Sequence, residues 1–201
     1  TTTAAVDSGF QPTIWRNTPH TNQQSRRLSI GAVTAMVAPM DVFIPPLEPD
    51  IEFVRLPKTE KTFGMTFEIK RDAMAQHIIP RWGWDEDQQL QIHRKHFDAK
   101  PFFRIDLEGR CVGVVSLFAT SDYVRLGEFY LVGDFRGKGL GTRILRHCLS
   151  CADEIGLPVR LEYLKWNPVG HLYLRHGFSV ISENDIHYFL ERPIGSVAGE
   201  A

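Results

Sequence analysis

The chain has 201 residues, 43% of them hydrophobic and 11% aromatic, enough for one well-buried domain and short for two. A net charge of −1 and a pI near 6.7 give no general attraction to polyanions, so nucleic acid is not an expected partner. The three cysteines, Cys111, Cys148 and Cys151, have no framework spacing and suit a reducing compartment, and no apolar run is long enough to span a membrane.

Residues 1–24 are polar and read as a poorly ordered tail. Arg26 and Arg27 then precede a modest apolar run to residue 38, the look of a targeting or twin-arginine segment. The preferred reading is a strand or helix added to the main domain. Pro39, Pro45, Pro46 and Pro49 read as a linker. The expected division is an N-terminal extension over residues 1–50, partly disordered, a main domain over 51–192 and a tail over 193–201.

Residues 51–56 alternate as a first strand. Helical spacing runs over residues 65–79 and ends at Pro80. In Arg81-Trp-Gly-Trp-Asp-Glu-Asp87, Asp85 suits the N-cap of a second helix reaching about Phe97. Residues 102–106, the Glu108-Gly109 turn and residues 112–118 give a hairpin, and residues 124–132 continue the sheet. Gly137, Gly139 and Gly141 follow. Leu140, Ile144, Leu145, Cys148, Leu149, Ala152 and Ile155 then make one apolar helix face, stopped by Gly156 and Pro158. Cys148 and Cys151 lie inside that helix, which favours core over redox chemistry and argues against an acyl-enzyme. A strand over 159–164 leads to Asn167, a suitable N-cap, and Pro168, a suitable first helical residue. Gly177 suits a left-handed helix stop, and residues 178–181 and 186–191 close the sheet as an antiparallel pair.

A strand, a glycine turn and a helix in that order make a phosphate-binding device. The turn leaves backbone N–H groups unpaired in front of a helix dipole, and glycine lets a phosphate come close. A Walker loop is excluded, because Gly133 stands one residue too near Gly137 and Lys138 is followed by Gly139. A dinucleotide fingerprint is excluded by the G-x-G-x-G spacing and by how little chain follows.

Arg136-Gly-Lys-Gly-Leu-Gly141 matches [RQ]-x-x-G-x-[GA] and resembles the acetyl-CoA motif of the GCN5-related N-acetyltransferase (GNAT) superfamily. Asn167, Tyr173, Gly177 and Phe178 fit its second signature, N-x-x-x-x-x-Y-x-x-x-G-F, in register. The resemblance covers about residues 51–192, and the Trp-Gly-Trp-Asp-Glu segment is similar to that of one bacterial branch. It implies an α/β (α+β) GNAT fold, a mixed, mostly antiparallel, splayed sheet of six to seven strands with about four helices. The element order β-α-α-β-β-β-α-β-α-β-β agrees.

The resemblance also implies roles. Acetyl-CoA would be the co-substrate, its pantetheine arm on the backbone of Tyr130, Leu131 and Val132. Its pyrophosphate would lie on Arg136, Gly137, Lys138, Gly139, Leu140, Gly141 and Thr142, with Lys138 and Arg143 as charge partners. Asn167 would bind pantetheine. An N–H near Leu131 would hold the oxyanion, and Tyr173 would protonate the departing thiolate, its ordinary pKa of about 10 being close to that of a thiol. Glu128, a carboxylate in an apolar strand, is the expected general base with a raised pKa; Asp85, Glu86, His93 and His187 are alternatives. Trp82, Trp84, Asp85 and Glu86 either wall the acceptor site or anchor the helix pair on the sheet. The histidines show no ligand spacing, so no metal is implied.

The expected activity is N-acetylation of a primary amine, of a small molecule or peptide, by direct attack in a ternary complex. The expected setting is cytoplasmic, without a membrane, with a homodimer possible through a sheet edge. A silent CoA-binding module, transfer to a hydroxyl or use of a longer acyl-CoA stay open as alternatives.

Overall fold

The computed structural model describes residues 40–196. The extension over residues 1–39, with its Arg26-Arg27 run, and the last five residues lie outside the described residues.

Among the described residues an 8-stranded, mostly antiparallel sheet is flanked by four helices. The elements are β1 (Met40–Asp41), β2 (Ile51–Arg55), α1 (Glu60–Trp82), α2 (Glu86–Ala99), β3 (Phe103–Leu107), β4 (Arg110–Ala119) and β5 (Val124–Leu131). A short 3-10 turn, Gly133–Phe135, precedes α3 (Leu140–Ile155), β6 (Val159–Leu164), α4 (Gly170–Leu174), β7 (Ser179–Glu183) and β8 (His187–Arg192). The strand order is β2-β3-β4-β5-β6-β8-β7, with β1 also on β4.

The structure corrects the sequence reading at four places. Residues 40–50 are no linker: Met40 and Asp41 pair with β4, and Val42 and Ile44 are buried in the main core. Helix α1 begins five residues before the expected start, because Thr59 and Thr62 cap each other's backbone N–H groups, a capping box without the usual Glu or Gln. It also runs two residues past Pro80. Helix α4 begins at Gly170, and Asn167 instead accepts from the Val169 N–H at 3.0 Å, closing a turn ahead of the helix. The start of the tail is held, since Asp153 accepts from Gly195 N–H and from the Arg192 guanidinium.

Two faces of the sheet are covered differently. The apolar face of α3 (Ile144, Leu145, Cys148, Leu149, Ala152) joins Val124, Leu126, Val159, Leu161 and Leu190 in the larger core, with Tyr173 and Phe178. On the opposite face, α1 and α2 pack Phe63 and Phe97 with Leu56 and Phe102. Helix α1 lies over β4 and β5, and β7 is exposed at every position.

One break in regularity shapes the centre. Strands β5 and β6 run parallel and pair only at Val124↔Val159 and Arg125↔Arg160, although β5 continues to Leu131. Beyond Arg125 the two strands part. On the other edge of β5, two residues, Glu128 and Phe129, stand opposite the single Val115 between the pairs Ser116↔Gly127 and Val114↔Tyr130. Glu128 takes the left-handed conformation (φ 49°) at this bulge.

Candidate active site

The parted edge of β5 is the first part of the site. Val132 N–H donates to Val112 C=O, so residues 112 and 132 are a hydrogen-bonded pair and Gly113 and Leu131 are not. By alternation Tyr130 and Val132 turn their backbone groups to β4, while Leu131 turns its own towards the opening. This narrows the expected set of three backbone partners to Leu131. Its C=O already accepts from Arg136 Nε at 2.7 Å, which leaves its N–H facing the gap.

The glycine turn is the second part. Gly137 (φ 71°) and Gly139 (φ 83°) are both left-handed, and nothing lies within 4 Å of where either would carry a Cβ. Helix α3 starts directly behind, with Gly139 at its N-cap. The turn is therefore open, glycine-lined and in front of a helix N-terminus, and it fits a pyrophosphate. Arg136 braces it: its guanidinium binds Asp72 of α1, whose carboxylate also accepts from Gly133 N–H at 2.9 Å. Arg143, expected as a phosphate partner, instead binds Asp50 at 2.7 Å and the Glu48 carbonyl. Lys138 is exposed, and Thr142 and Gly141 lie in the first turn of α3, Gly141 against Leu131.

Tyr173 is placed by the way its helix ends. Gly177 N–H donates to Leu174 C=O, Phe178 N–H to Tyr173 C=O, and Gly177 is left-handed (φ 83°), which together make a Schellman stop. The hydrophobic contact that accompanies such a stop is Tyr173 on Phe178, ring centroids 5.8 Å apart. The spacing Y-x-x-x-G-F is thus a helix terminus as well as a signature. Tyr173 is buried, also packs on Tyr163, and burial pushes its hydroxyl well above the ordinary phenol range, with Arg125 pulling the other way. Burial thus moves the hydroxyl away from the expected match to a thiol.

Glu128 departs further from expectation. Its side chain is 6% exposed, and its carboxylate lies 3.0 Å from Lys100 Nζ, 2.8 Å from His96 Nδ1 and 2.9 Å from the Tyr130 hydroxyl. Burial raises its pKa, but Lys100, His96 and Lys70 outweigh burial and hold it well below the usual carboxylate range. A carboxylate so held is a counter-ion, not the raised-pKa base that the apolar strand suggested.

The other candidates separate. His93 is sealed among Phe63, Phe67, Phe97 and Phe102, with Nε2 on the Thr66 hydroxyl, and has no route to a substrate. Asp85 caps α2 by accepting from Gln88 N–H at 3.0 Å, as expected. Glu86 pairs with Arg71 and accepts from the Trp84 indole N–H, and Trp84 packs on Phe67. These three therefore anchor the helix pair. Trp82 reaches elsewhere: it packs on Trp166, beside Asn167, whose indole N–H donates to His77 C=O and whose ring Arg81 covers at 3.9 Å. This links the end of α1 to the β6–α4 loop.

His187 gains most. On β8 it stands opposite Leu164, on the face shared by Glu162, Arg160 and Arg125, and burial lowers its pKa although Glu162 opposes this. Sequence reasoning missed Arg125, Lys100, His96, Lys70 and Asp72. No local pattern marks them, because they meet only through strand register and helix packing.

Residues 98–180, which contain both motifs, match the family model described as an acetyltransferase (GNAT) domain. No curated protein matches the chain. Among solved structures, the PaiA N-acetyltransferase of Thermoplasma acidophilum in complex with coenzyme A aligns with a TM-score of 0.58 at 17% identity, over 72% of this chain and 99% of its own. The ribosomal-protein-S18-alanine N-acetyltransferase of Escherichia coli gives 0.54 at 18% identity, over 75% of this chain and 97% of its own. An acetyltransferase of Thermus thermophilus gives 0.55 at 15% identity, over 72% and 97%. These likenesses concern the fold. Taken with the family-model match across both motifs, they give this chain the fold of GNAT acetyltransferases.

Proposed function

We propose that the protein transfers the acetyl group of acetyl-CoA to a primary amine by direct attack in a ternary complex. The observation that carries this reading is the joint opening of β5 and the glycine turn, with the free N–H of Leu131 at one end and Gly137 and Gly139 at the other. Bound acetyl-CoA supplies the thioester. Leu131 N–H donates to its carbonyl oxygen as charge develops there. The C–N bond forms as the C–S bond breaks, Tyr173 gives its proton to the leaving sulfur, and the second proton lost from the nitrogen restores the Tyr173 hydroxyl. His187, kept neutral by burial, takes the proton of the acceptor ammonium. Glu128 fixes Lys100 and His96 at the bulge and does not itself accept the proton.

Calorimetric titration with acetyl-CoA, CoA and ATP tests the cofactor. Wild type is expected to bind the first two and ignore ATP, and Gly139→Glu to bind none. Absence of acetyl-CoA binding to wild type sinks the proposal. Tyr173→Phe is expected to lower kcat about 10²–10⁴-fold with acetyl-CoA affinity retained. A non-catalytic module would show no turnover to lose. His187→Gln is expected to remove the acidic limb of the kcat/KM profile, which in wild type falls below an inflection under the ordinary histidine value of 6.5. An unchanged limb would move the base elsewhere.

A further inference from the structure

Where β5 and β6 part, Arg125, whose partner in the last paired register is Arg160, reaches Glu162 two residues further along β6, Nη2 to Oε1 at 3.1 Å. The pairing is incomplete. Arg125 Nη1 and Glu162 Oε2 are both buried and have no hydrogen-bond partner among the described residues. Arg125 is 7% exposed, so a nine-tenths buried guanidinium has an unused donor beside a carboxylate with an unused acceptor. Leaving both unmade is costly, and a pair retained in this state points to a missing third party. Both atoms are shielded from solvent, so that partner has to lie against the strands themselves.

Their place in the fold says what the partner is. Register sets Arg125, Glu162 and His187 on the face of the sheet opposite α3 and α4. That is also the face on which Glu128 meets Lys100 and His96 of α2. The acceptor amine, in the reading given above, approaches the gap from this face. A second cation strengthens the case. Lys70 is 6% exposed and no hydrogen bond or ion pair is formed by it among the described residues; Glu128, the opposing charge that acts on it, is already bound to Lys100, His96 and Tyr130. The wall therefore offers one acceptor for an N–H and an excess of donors for oxygen.

We infer that Arg125 and Glu162 recognise an acceptor whose amine stands next to a carbonyl or carboxylate carbon, an α-amino acid or the first residue of a peptide. Glu162 Oε2 accepts from the amine nitrogen and Arg125 Nη1 donates to the neighbouring oxygen. A plain alkylamine or a polyamine fills only the first position. This inference rests on the acetyltransferase reading above and deepens it.

The test is a thiol-release assay on the full chain with acetyl-CoA and four acceptors: alanine, alanyl-alanine, propylamine and spermidine. Wild type is expected to show kcat/KM at least 100-fold higher for alanine or alanyl-alanine than for propylamine and spermidine. The stronger of the first two tells a free carboxylate from a peptide carbonyl. Arg125→Gln is expected to raise KM for the favoured acceptor at least tenfold and to erase most of its advantage over propylamine, with KM for acetyl-CoA within twofold. Glu162→Gln, the gentler change, is expected to raise KM for all four amines. Equal or better use of propylamine or spermidine by wild type overturns the inference, as does an Arg125→Gln defect shared equally by all acceptors. If circular dichroism shows that Arg125→Gln does not fold, the wild-type ratio and Glu162→Gln decide alone. Acetyl-CoA binding with no amine acetylated would instead overturn the activity proposed above and this inference with it.

Discussion

At the scale of single residues, charge and burial redistribute the roles that residue type suggests. Glu128 holds Lys100 and His96 in place from a left-handed position, with the charge of Lys70 also acting on it. Glu128→Gln leaves Lys100 and Lys70 buried without a counter-charge and is expected to cost about 3–5 kcal/mol in chemical denaturation. Lost activity in that variant alone is therefore no evidence of a base. His93 gives a second expectation. Burial lowers its pKa from 6.5 to about 4, so the unfolded chain binds more protons than the native one between those values. Its contribution is present above pH 6.5 and is lost as pH falls to about 4, a difference of about 3 kcal/mol at 1.36 kcal/mol per unit. Denaturant midpoints of His93→Phe should vary less over that window than those of wild type; parallel curves would contradict the assignment.

At the scale of elements, the decisive features are a bulge and a separation of strands. Gly113 is required just beyond the bulge, opposite Leu131: a Cβ there would overlap the Tyr130 carbonyl oxygen and crowd Leu131. Gly113→Ala is expected to cost about 1–3 kcal/mol and to weaken acetyl-CoA binding, because β5 must shift at the point where Leu131 presents its N–H. Unchanged affinity would show that the edge is not read by the cofactor. Helices α2 and α3, the hairpin turn at Glu108-Gly109 and the glycine turn were legible in the sequence, each being written in capping residues, periodicity or left-handed glycine, whereas the starts of α1 and α4 were not. The bulge at Glu128 and the loss of pairing after Arg125 were not. They depend on which strands neighbour each other, and β5 reads as one continuous strand whether or not its partner leaves it. For the same reason Tyr173 was found by its spacing, while Arg125 was passed over as an ordinary strand residue.

At the scale of the whole molecule, the sheet takes in more chain than composition suggested. Prolines made residues 40–50 look like a linker, yet Val42 and Ile44 close one end of the larger core and Arg143 clamps Glu48 and Asp50 from α3. Ile44→Ala is expected to cost about 2–5 kcal/mol by thermal or chemical unfolding, and a change under about 1 kcal/mol would return the segment to linker status. The Schellman stop at Gly177 has a bearing on which length changes the chain can survive. Tyr173 is held by counting back from Gly177 and Phe178, with no hydrogen bond from its hydroxyl among the described residues. One residue inserted among positions 174–176 would swing its ring about 100° around the helix axis. One inserted in the turn at Ser121 and Asp122 would move nothing near the gap. Insertions and deletions between relatives should therefore collect in such turns and be missing from the four-residue ruler between tyrosine and glycine.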